Sequence, residues 1–341
     1  MQCITIPSQP ERKLGRAYRI EKVLSDRRNP LLCVYQARYE RTDPFGIAGP
    51  STLGAYQTHA ASADGKPFVL KHVIPGDLEY QLDLQGRIEC CPHLRTAVDT
   101  VVEPELFVYP FLATDLLQLS TRPAFSDKSR RAALRCALTG LAELHDRSII
   151  HTDIKPNNIL VDYEESSEQG ISIQSVQIGD LEDAVLLEPG HNLKGCVCGN
   201  QLWRSPEAWT RARQNTPSDI FSFGVVMIYV MLNQMVLRPT DEELASPEAW
   251  RHVLRRQISY FADNESFVGL LKHIGEDNPY FEGIVELGTD FGKDRPRKPF
   301  ALWEYVDAEF RDLVGKMTNW DPTRRITARE ALAHSWFQKG Q

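Results

Sequence analysis

The sequence predicts an α+β fold with a strand-rich amino-terminal part and a mainly helical remainder. Up to about residue 110, short segments rich in Val, Ile, Leu and Tyr alternate with turn-forming residues, as strands do. Beyond residue 126 the apolar residues recur at spacings of three and four, which is typical of amphipathic helices. The hydrophobic fraction of 42% and the charged fraction of 25% fit a globular protein with a sizeable core.

The strand-rich part contains five predicted strands and one short helix. The strands are expected at residues 18–24, 33–39, 68–73, 100–103 and 105–109, and the helix at about 77–89. Residues 1–17 are expected to form a tail. A stretch at 43–65 rich in Gly, Ala, Ser and Thr is expected to be a surface loop.

The remainder contains six main predicted helices. They are expected at residues 129–145, 217–232, 247–261, 266–274, 307–318 and 327–334. The most apolar run, at 221–232, is only about 12 residues long, which is too short to cross a bilayer and indicates a buried helix.

The overall charge disfavours two classes of partner. The 39 basic and 46 acidic residues give a net charge of −7, which argues against nucleic acid or an anionic membrane as the main partner. The amino-terminal residues lack the pattern of a signal peptide. Seven cysteines without framework spacing predict reduced thiols, and therefore a cytoplasmic or nuclear protein. The sequence leaves the oligomeric state open.

One short segment, residues 151–158 with the sequence HTDIKPNN, is the strongest functional signal. It resembles the H-R-D-L-K-x-x-N catalytic loop of protein kinases. The resemblance implies that Asp153 is the catalytic base, that Lys155 contacts the γ-phosphate and that Asn158 is a metal ligand. A polar turn between two apolar strands is the alternative interpretation, but the length of the match disfavours it.

Further motifs of the same family occur in the family's order between residues 18 and 338. They are the strand lysine Lys71, the metal-binding Asp180, Glu207 in Ser-Pro-Glu, the buried Asp219 and the arginine Arg325. The resemblance therefore implies a bilobal kinase fold, with an N-lobe at 18–110 and a C-lobe at 113–338. It also implies ATP and Mg²⁺ as cofactors and a protein as substrate.

Residues 107–116 resemble the segment that joins the two lobes in this family, with Tyr109 as the gatekeeper. The resemblance implies an adenine site formed by the backbone of Pro110 and Leu112. Because proline lacks an N–H group, Pro110 can offer only its carbonyl oxygen, which suffices for the adenine amino group. The remaining implied contacts are Asp115 near the ribose and Val34, Val69 and Leu160 around the ring.

The partner of Lys71 is less well defined. Glu79 in the short helix is the first choice, and Asp83 is the alternative. A lysine inside a strand requires a partner, because burying an unpaired charge is costly.

Several family features are altered. The loop between the first two strands contains no glycine, and Arg27 or Arg28 either supplies charge there or is simply exposed. Thr152 replaces the arginine of H-R-D, and residues 180–204 contain no Ser, Thr or Tyr. The phosphate acceptor and its receptor are thus both absent. Asp180-Leu181-Glu182 stands in place of D-F-G, and Asn200 replaces a threonine.

The retained motifs favour a divergent Ser/Thr protein kinase. The two absences, of the phosphate acceptor and of its receptor, favour independence from phosphorylation on the activation segment. Lys155, two residues after the catalytic aspartate, is the Ser/Thr-type residue of the family. A non-catalytic scaffold with a kinase fold is the main alternative, because the glycine loop is missing. A small-molecule phosphotransferase is a third class. Members of that class lack the motifs to which Glu207, Asp219 and Arg325 belong, so the presence of these residues here disfavours it.

Overall fold

A computed structural model describes residues 3–5, 17–28, 31–40, 67–168 and 170–338. The chain divides into two compact units. The first consists of the described residues up to Glu89 together with Arg95–Leu112, and the second consists of Cys90–Leu94 and the described residues from Ala113 onward. The surface loop predicted at 43–65 and most of the predicted tail lie outside the described residues.

The first unit is built on one six-stranded sheet with the strand order β1-β2-β3-β4-β6-β5 and antiparallel pairing throughout. Its strands are β1 (Cys3–Thr5), β2 (Ala17–Arg28), β3 (Leu31–Glu40), β4 (Phe68–His72), β5 (Asp99–Val101) and β6 (Leu106–Pro110). One helix, α1 (Leu78–Ile88), follows β4.

Alternation along the strands gives the sheet two apolar faces. One cluster contains Tyr18, Leu70 and Val108, and the other contains Val69, Phe107 and Tyr109. Because side chains in a strand point alternately to opposite faces, Val69 and Lys71 share one face of β4 while Leu70 lies on the other. Leu70 and Val108 are fully buried.

The second unit is mainly helical. Its helices are α2 (Leu116–Leu119), α3 (Asp127–Asp146), α4 (Pro206–Trp209), α5 (Thr216–Leu232), α6 (Asp241–Ala245), α7 (Ala249–Phe261), α8 (Asn264–Ile274), α9 (Phe281–Thr289), α10 (Ala308–Met317), α11 (Ala328–Ala333) and α12 (Ser335–Gln338). Its strands are β7 (Thr114–Asp115), β8 (Ile149–Ile150), β9 (Ile159–Ser166), β10 (Gly170–Ile178) and β11 (Val185–Leu186).

Helices α3 and α5 form the centre of this unit. The side chain of Ser126 caps α3 by accepting the Ser129 N–H, which satisfies one of the amide groups left unpaired at a helix start. Helix α5 is apolar on nearly every side and buried from Asp219 to Val230, as expected for a helix surrounded by others. Asn233 ends α5 in a left-handed conformation, for which asparagine is well suited.

Two small sheets fix the segment between β8 and β9, which contains the HTDIKPNN residues. Strand β8 pairs with β11, while β9 lies between β7 and β10 in a three-stranded sheet. The segment is therefore held at both ends by backbone pairing, and its polar side chains lie on a loop supported by a rigid scaffold.

The structure confirms the predicted fold class: a β-sheet unit precedes a mainly helical unit. The six main predicted helices are present with ends within about two residues of those expected. The long β9–β10 hairpin and the helix α9 were not predicted. In the part of the chain that the structure describes, no helix has the length and apolar character needed to cross a membrane.

Candidate active site

The carboxylate of Asp153 is the centre of a tight polar cluster in the second unit. Its Oδ1 accepts the backbone N–H of Asn200 at 2.8 Å, and its Oδ2 lies 2.5 Å from the Lys155 ammonium group. The Asn158 amide nitrogen lies 3.3 Å from the same Oδ2 and donates to the Asp153 carbonyl oxygen at 2.9 Å. The structure thus brings Asp153, Lys155 and Asn158 together in a fixed arrangement.

The amide of Asn158 is oriented in a way that suits a metal ligand. Both of its recorded hydrogen bonds use the nitrogen, so the amide oxygen remains the acceptor for another group. The backbone also connects this residue to the predicted metal-binding aspartate, because the Gly179 N–H donates to the Asn158 carbonyl at 2.8 Å. Amide and carboxylate oxygens are the ligands that Mg²⁺ prefers, so the side chains of Asn158 and Asp180 fit the ion in their chemistry.

Asp180 has a left-handed backbone, with φ of 63°. Aspartate adopts this region more readily than most residues. His151, which is fully buried, contacts the carbonyl oxygen of the preceding Gly179 through Nε2 at 2.9 Å. This contact ties the turn that carries Asp180 to the start of the segment that carries Asp153.

Buried Asp219 in α5 anchors the same segment through hydrogen bonds to its backbone. Its Oδ2 accepts the His151 N–H at 2.7 Å, and its Oδ1 accepts the Thr152 N–H at 2.9 Å. His145 contacts Oδ2 at 3.1 Å. Thr152 has φ of 68°, an outlier for a β-branched residue, so the two amide bonds to Asp219 hold a strained backbone in place.

The segment after Asp180 is attached by local contacts of its own. The Thr152 hydroxyl donates to the Asp183 carbonyl at 3.0 Å, in the region where the family's arginine would bind a phosphate. Leu181 and Ala184 are buried, and β11 pairs with β8. The Thr152 hydroxyl bond, the buried side chains and the strand pairing thus hold the start of this segment.

The cysteines whose side chains the structure describes are free thiols, as the sequence predicts: Cys33, Cys90, Cys91, Cys136, Cys196 and Cys198. The sulfur atoms of Cys196 and Cys198 lie 3.3 Å apart. Burial and the neighbouring Cys196 thiol raise the pKa of Cys198 to about 12, so its thiol is protonated at neutral pH.

A buried ion pair joins the Ser-Pro-Glu motif to Arg325, which lies between helices α10 and α11. Arg325 donates to both carboxylate oxygens of Glu207, at 2.5 and 2.8 Å, and the Ser218 hydroxyl donates to one of them at 2.6 Å. Burial alone raises the pKa of Glu207, but Arg325 and Ser218 outweigh it, so the pKa lies below its ordinary value. Two motif residues that are far apart in the sequence, Glu207 and Arg325, are therefore paired in the structure.

Gly199 and Asn200 bring the activation segment against the Asp153 cluster. Gly199 has φ of 74°, and a Cβ on it would lie 2.6 Å from the Thr152 carbonyl oxygen. Only glycine allows the backbone to pass this closely, and the following residue can then donate its N–H to Asp153. Sequence reasoning considered Asn200 but not Gly199.

In the first unit, Lys71 lies on β4 opposite Val34 of β3 and Phe107 of β6. Val34 packs against the apolar cluster that contains Val69 and Tyr109. The structure therefore brings together, on one face of this sheet, the strand lysine and two of the apolar residues that the sequence predicts to line the adenine ring. Arg27 and Arg28 pair with β3 through their backbones, and their side chains lie outside what the structure describes.

The carbonyl oxygen of Pro110, the predicted adenine acceptor, already accepts a hydrogen bond. Arg95 donates to it through Nη2 at 3.0 Å, and the Arg95 guanidinium lies 4.9 Å from the centroid of the Tyr109 ring. Sequence reasoning missed Arg95. A carbonyl oxygen has two lone pairs, so a second donor would share this acceptor with the arginine or displace it.

Helix α1 turns amides, not carboxylates, toward the core of its unit. Glu79 is exposed, and Asp83 is exposed and pairs with Arg87 at 2.8 Å. The buried polar residues of the helix are Gln81 and Gln85. The Gln85 amide accepts the Ala97 N–H at 2.9 Å and lies 3.5 Å from the Tyr109 hydroxyl.

The spacing of Leu84 and Ile88 is the signal that could have found these glutamines. Residues three and four apart share a helix face, so Gln81 belongs with Leu84, Gln85 and Ile88 on the buried side. Glu79 falls on another face.

Two further residues of the predicted nucleotide site, Asp115 and Leu160, lie in the second unit. Asp115 caps helix α2, its Oδ1 accepting the Gln118 N–H at 2.9 Å and its Oδ2 the Gln118 side-chain amide at 3.0 Å. It pairs in the sheet with Leu160. Leu112, the last residue of the first unit, is half-buried.

Comparison with known proteins gives the family. A sequence model of the protein kinase domain matches residues 105–337, so the chain belongs to the protein kinase family. Members of this family transfer a phosphoryl group and use ATP with a divalent metal ion. The match begins just before β6, so Lys71 lies outside the matched range.

Individual relatives are distant. The liver/testis isoform of the phosphorylase b kinase gamma catalytic chain from Bos taurus is 24% identical over 88% of this chain and 67% of its own length. The CaM kinase-like vesicle-associated protein from Homo sapiens is 26% identical over 72% of this chain and 41% of its own length. The serine/threonine-protein kinase SSN3 from Coccidioides immitis (strain RS) is 24% identical over 92% and 75% of the two chains, respectively.

Proposed function

We propose that the chain is a Ser/Thr protein kinase that transfers the γ-phosphoryl group of MgATP to a hydroxyl group of a protein. The observation that carries this proposal is the Asp153 cluster, in which a carboxylate is held by Lys155, Asn158 and the Asn200 N–H. Strained backbone such as that of Thr152 clusters at functional sites, which favours a chemical role for this carboxylate and ammonium group over a purely structural one.

Each polar residue of the cluster has a task in this reaction. Asp153 accepts the proton of the substrate hydroxyl as its oxygen bonds to the γ-phosphorus and the bond to ADP breaks. Lys155 stabilises the negative charge on the transferred group. Because these groups are fixed before the substrate arrives, no rearrangement of solvent is needed at the moment of transfer.

Asn158 and Asp180 would hold the metal ion through oxygen atoms. Mg²⁺ supplies charge neutralisation of the phosphates when it is bound. In the first unit, Lys71 would pair with the α- and β-phosphates, and Val34 and Val69 would pack against the base. Glu79 remains the sequence-based candidate partner of Lys71, although its exposed position gives that role no support.

A pseudokinase with weak or no catalysis is the second candidate. Two observations favour it: the Pro110 carbonyl is engaged by Arg95, and the β2–β3 hairpin, which contains no glycine, continues its pairing as far as Arg28 and Leu31. Without glycines, fewer backbone N–H groups can approach the phosphates.

Transfer of label from γ-labelled ATP to a Ser/Thr peptide library separates the two candidates. The kinase proposal expects Mg²⁺-dependent labelling of serine or threonine, lost in the Lys71→Met variant. Binding of MgATP without any labelling, across the library and in mixtures of intact proteins, would establish the pseudokinase instead.

We expect the Arg95→Leu substitution to tighten MgATP binding by about tenfold. A hydrogen bond from a charged group contributes about 1.5–3 kcal/mol, and 1.4 kcal/mol corresponds to a factor of ten. With leucine at this position, the adenine amino group no longer competes for the Pro110 carbonyl. Calorimetric titration measures the effect, and Arg87→Leu is the control, because it removes an equal charge from an exposed position of helix α1. Equal or weaker binding by Arg95→Leu would contradict the competition.

We also expect catalysis to be independent of phosphorylation on the activation segment. Residues 180–204 offer no hydroxyl group, and the Thr152 hydroxyl already binds the Asp183 carbonyl. Phosphatase-treated and untreated protein should therefore transfer phosphate at equal rates, with mass spectrometry confirming the loss of any phosphate. A fall of about tenfold, equivalent to about 1.4 kcal/mol in the barrier, would contradict this expectation if the lost phosphate maps to the activation region.

The partner and location assignments are part of the same proposal. The net charge of −7 supports a protein substrate over nucleic acid or an anionic membrane. Free thiols among the described cysteines support a reducing compartment, cytoplasmic or nuclear.

A further inference from the structure

A cavity of about 480 Å³ adjoins the Asp153 cluster in the second unit. Asn200, whose N–H donates to Asp153, and the preceding Gly199 belong to its lining. Whatever occupies this cavity therefore lies next to the carboxylate that receives the substrate hydroxyl. An extended peptide advances about 3.3 Å per residue, so a residue within about two positions of the acceptor can reach it.

All the charged residues that line the cavity are positive. They are Arg204 and Arg211, and no aspartate or glutamate is among the lining residues. In the described part of the chain, no carboxylate lies within ion-pair distance of either guanidinium group. Glu248, which lies in sequence between the lining residues Pro247 and Ala249, does not line the cavity and is paired with Arg251 at 2.7 Å.

The guanidinium group of Arg204 is held in place by several contacts, and some of its N–H donors remain available. Its Nε donates to the Cys198 carbonyl at 2.6 Å, another of its nitrogens donates to the Gly199 carbonyl, and its guanidinium lies 4.4 Å from the Trp209 ring centroid. These bonds use two of its five N–H donors. Burial lowers the pKa of Arg204 to about 10, which leaves it charged at neutral pH but poorly solvated.

Part of the cavity lining is aromatic. Trp250 and Tyr280 meet edge to face, with ring centroids 5.2 Å apart. Their surfaces can pack against the methylene groups of a side chain whose head is bound by the arginines. A planar guanidinium pairs with a carboxylate or phosphate group through two parallel hydrogen bonds.

We propose that this cavity binds an anionic side chain of the polypeptide substrate, so that acceptor residues are followed or preceded closely by an acidic or phosphorylated residue. The proposal rests on the proposed function for the identity of the substrate, but binding can be measured without catalysis. Carboxylate and phosphate share the chemistry that the two arginines recognise. The test distinguishes them.

The probe is a fluorescently labelled nine-residue peptide with a central serine and one variable position, scanned across the two residues on each side. That position carries Glu, phosphoserine, Gln or Leu, and anisotropy reports binding to the full chain without nucleotide. At one position, we expect the Glu or phosphoserine peptide to bind about tenfold more tightly than the Gln peptide, the effect of one charge-assisted hydrogen bond. Stronger binding of phosphoserine identifies a phosphorylated substrate, and equal binding shows that a carboxylate suffices.

Arg211→Gln is the informative variant, because Arg211 is exposed and its side chain has no recorded bond within the described structure. Arg204 is less suitable, since its loss would free two backbone carbonyls. We expect Arg211→Gln to reduce the preference for Glu over Gln severalfold. Arg213→Gln is the matched control: Arg213 is exposed two residues away, donates to the His273 carbonyl and does not line the cavity.

Three results would overturn the proposal: no measurable binding of any anionic peptide, equal binding of the Glu, Gln and Leu peptides, or an unchanged preference in folded Arg211→Gln protein. Tight binding of the Leu peptide alone would assign the cavity to an apolar residue. Charge-dependent binding without phosphoryl transfer would uphold the cavity and refute the kinase function. Phosphoryl transfer at a rate that does not depend on peptide charge would support the kinase function and refute the proposed role of the cavity.

Discussion

Replacing Asp153 by asparagine is expected to lower the rate of phosphoryl transfer by about 10²–10⁴-fold, the usual effect of removing a general base. The structure adds a second reason for the loss. The Oδ2 atom accepts from both Lys155 and Asn158, so an amide nitrogen at that position would meet two donors. The Lys155 ammonium group would then lose the partner that positions it. Radiolabelled transfer to peptide measures the rate.

The Asp153→Asn variant should still bind MgATP, since the proposed nucleotide contacts are made by other residues. Asp162→Asn is the control, because it also replaces one carboxylate in the second unit, on strand β9, and takes no part in the hydrogen bonds of the cluster. A transfer rate in Asp153→Asn equal to that of the parent would show that Asp153 is not the base.

The helices of the second unit were predictable because each carries its own signal. The apolar residues of α3 recur at helical spacing, which is the signal that predicted a helix at 129–145. Helix α9 was missed because Phe281–Thr289 is short and contains two glycines, which lower helix propensity. The β9–β10 hairpin was missed because polar residues such as Glu164 and Glu165 fill its outer half, where one face meets solvent.

The catalytic loop was predictable for a different reason: its residues are close in the sequence. Asp153, Lys155 and Asn158 lie within six positions, and the structure brings all three together. Contacts between distant residues have no such local signal. Two examples are the bond from Arg95 to Pro110 and the close approach of Gly199 to Thr152. Both depend on the tertiary fold, which neither the spacing of residues nor the composition reveals.

Arg325→Met is expected to destabilise the second unit by about 3–5 kcal/mol, the usual effect of leaving one charge of a buried pair without its partner. The side chains of Arg325 and Glu207 are 0% and 1% exposed, so water cannot replace the lost contacts. Arg325 also donates to the carbonyl groups of Asn319 and Pro217, at 2.6 and 3.0 Å, and methionine leaves both without this donor. Urea titration followed by circular dichroism measures the free energy of unfolding.

Arg324→Met is the matched control for this prediction. Arg324 is the preceding residue and pairs with Glu265, but both side chains are exposed. Its substitution should leave the free energy of unfolding unchanged within error, because exposed ion pairs are screened by solvent. Equal effects of the two substitutions would show that burial of the Arg325 pair does not matter to stability.

The contribution of the pair to stability should also depend on pH, in a direction set by Glu207. Its pKa in the folded protein lies below the ordinary value, because Arg325 and Ser218 outweigh the effect of burial. The stabilisation is therefore complete above the pKa of the carboxyl group in the unfolded chain, about 4.3, and is lost as the pH falls through the lower folded value. Glu207→Gln should remove this part of the acid dependence. The double variant Glu207→Gln/Arg325→Met should be less destabilised than the sum of the two single changes, because it leaves no unpaired charge. A strictly additive double variant would mean that the two residues stabilise the fold independently.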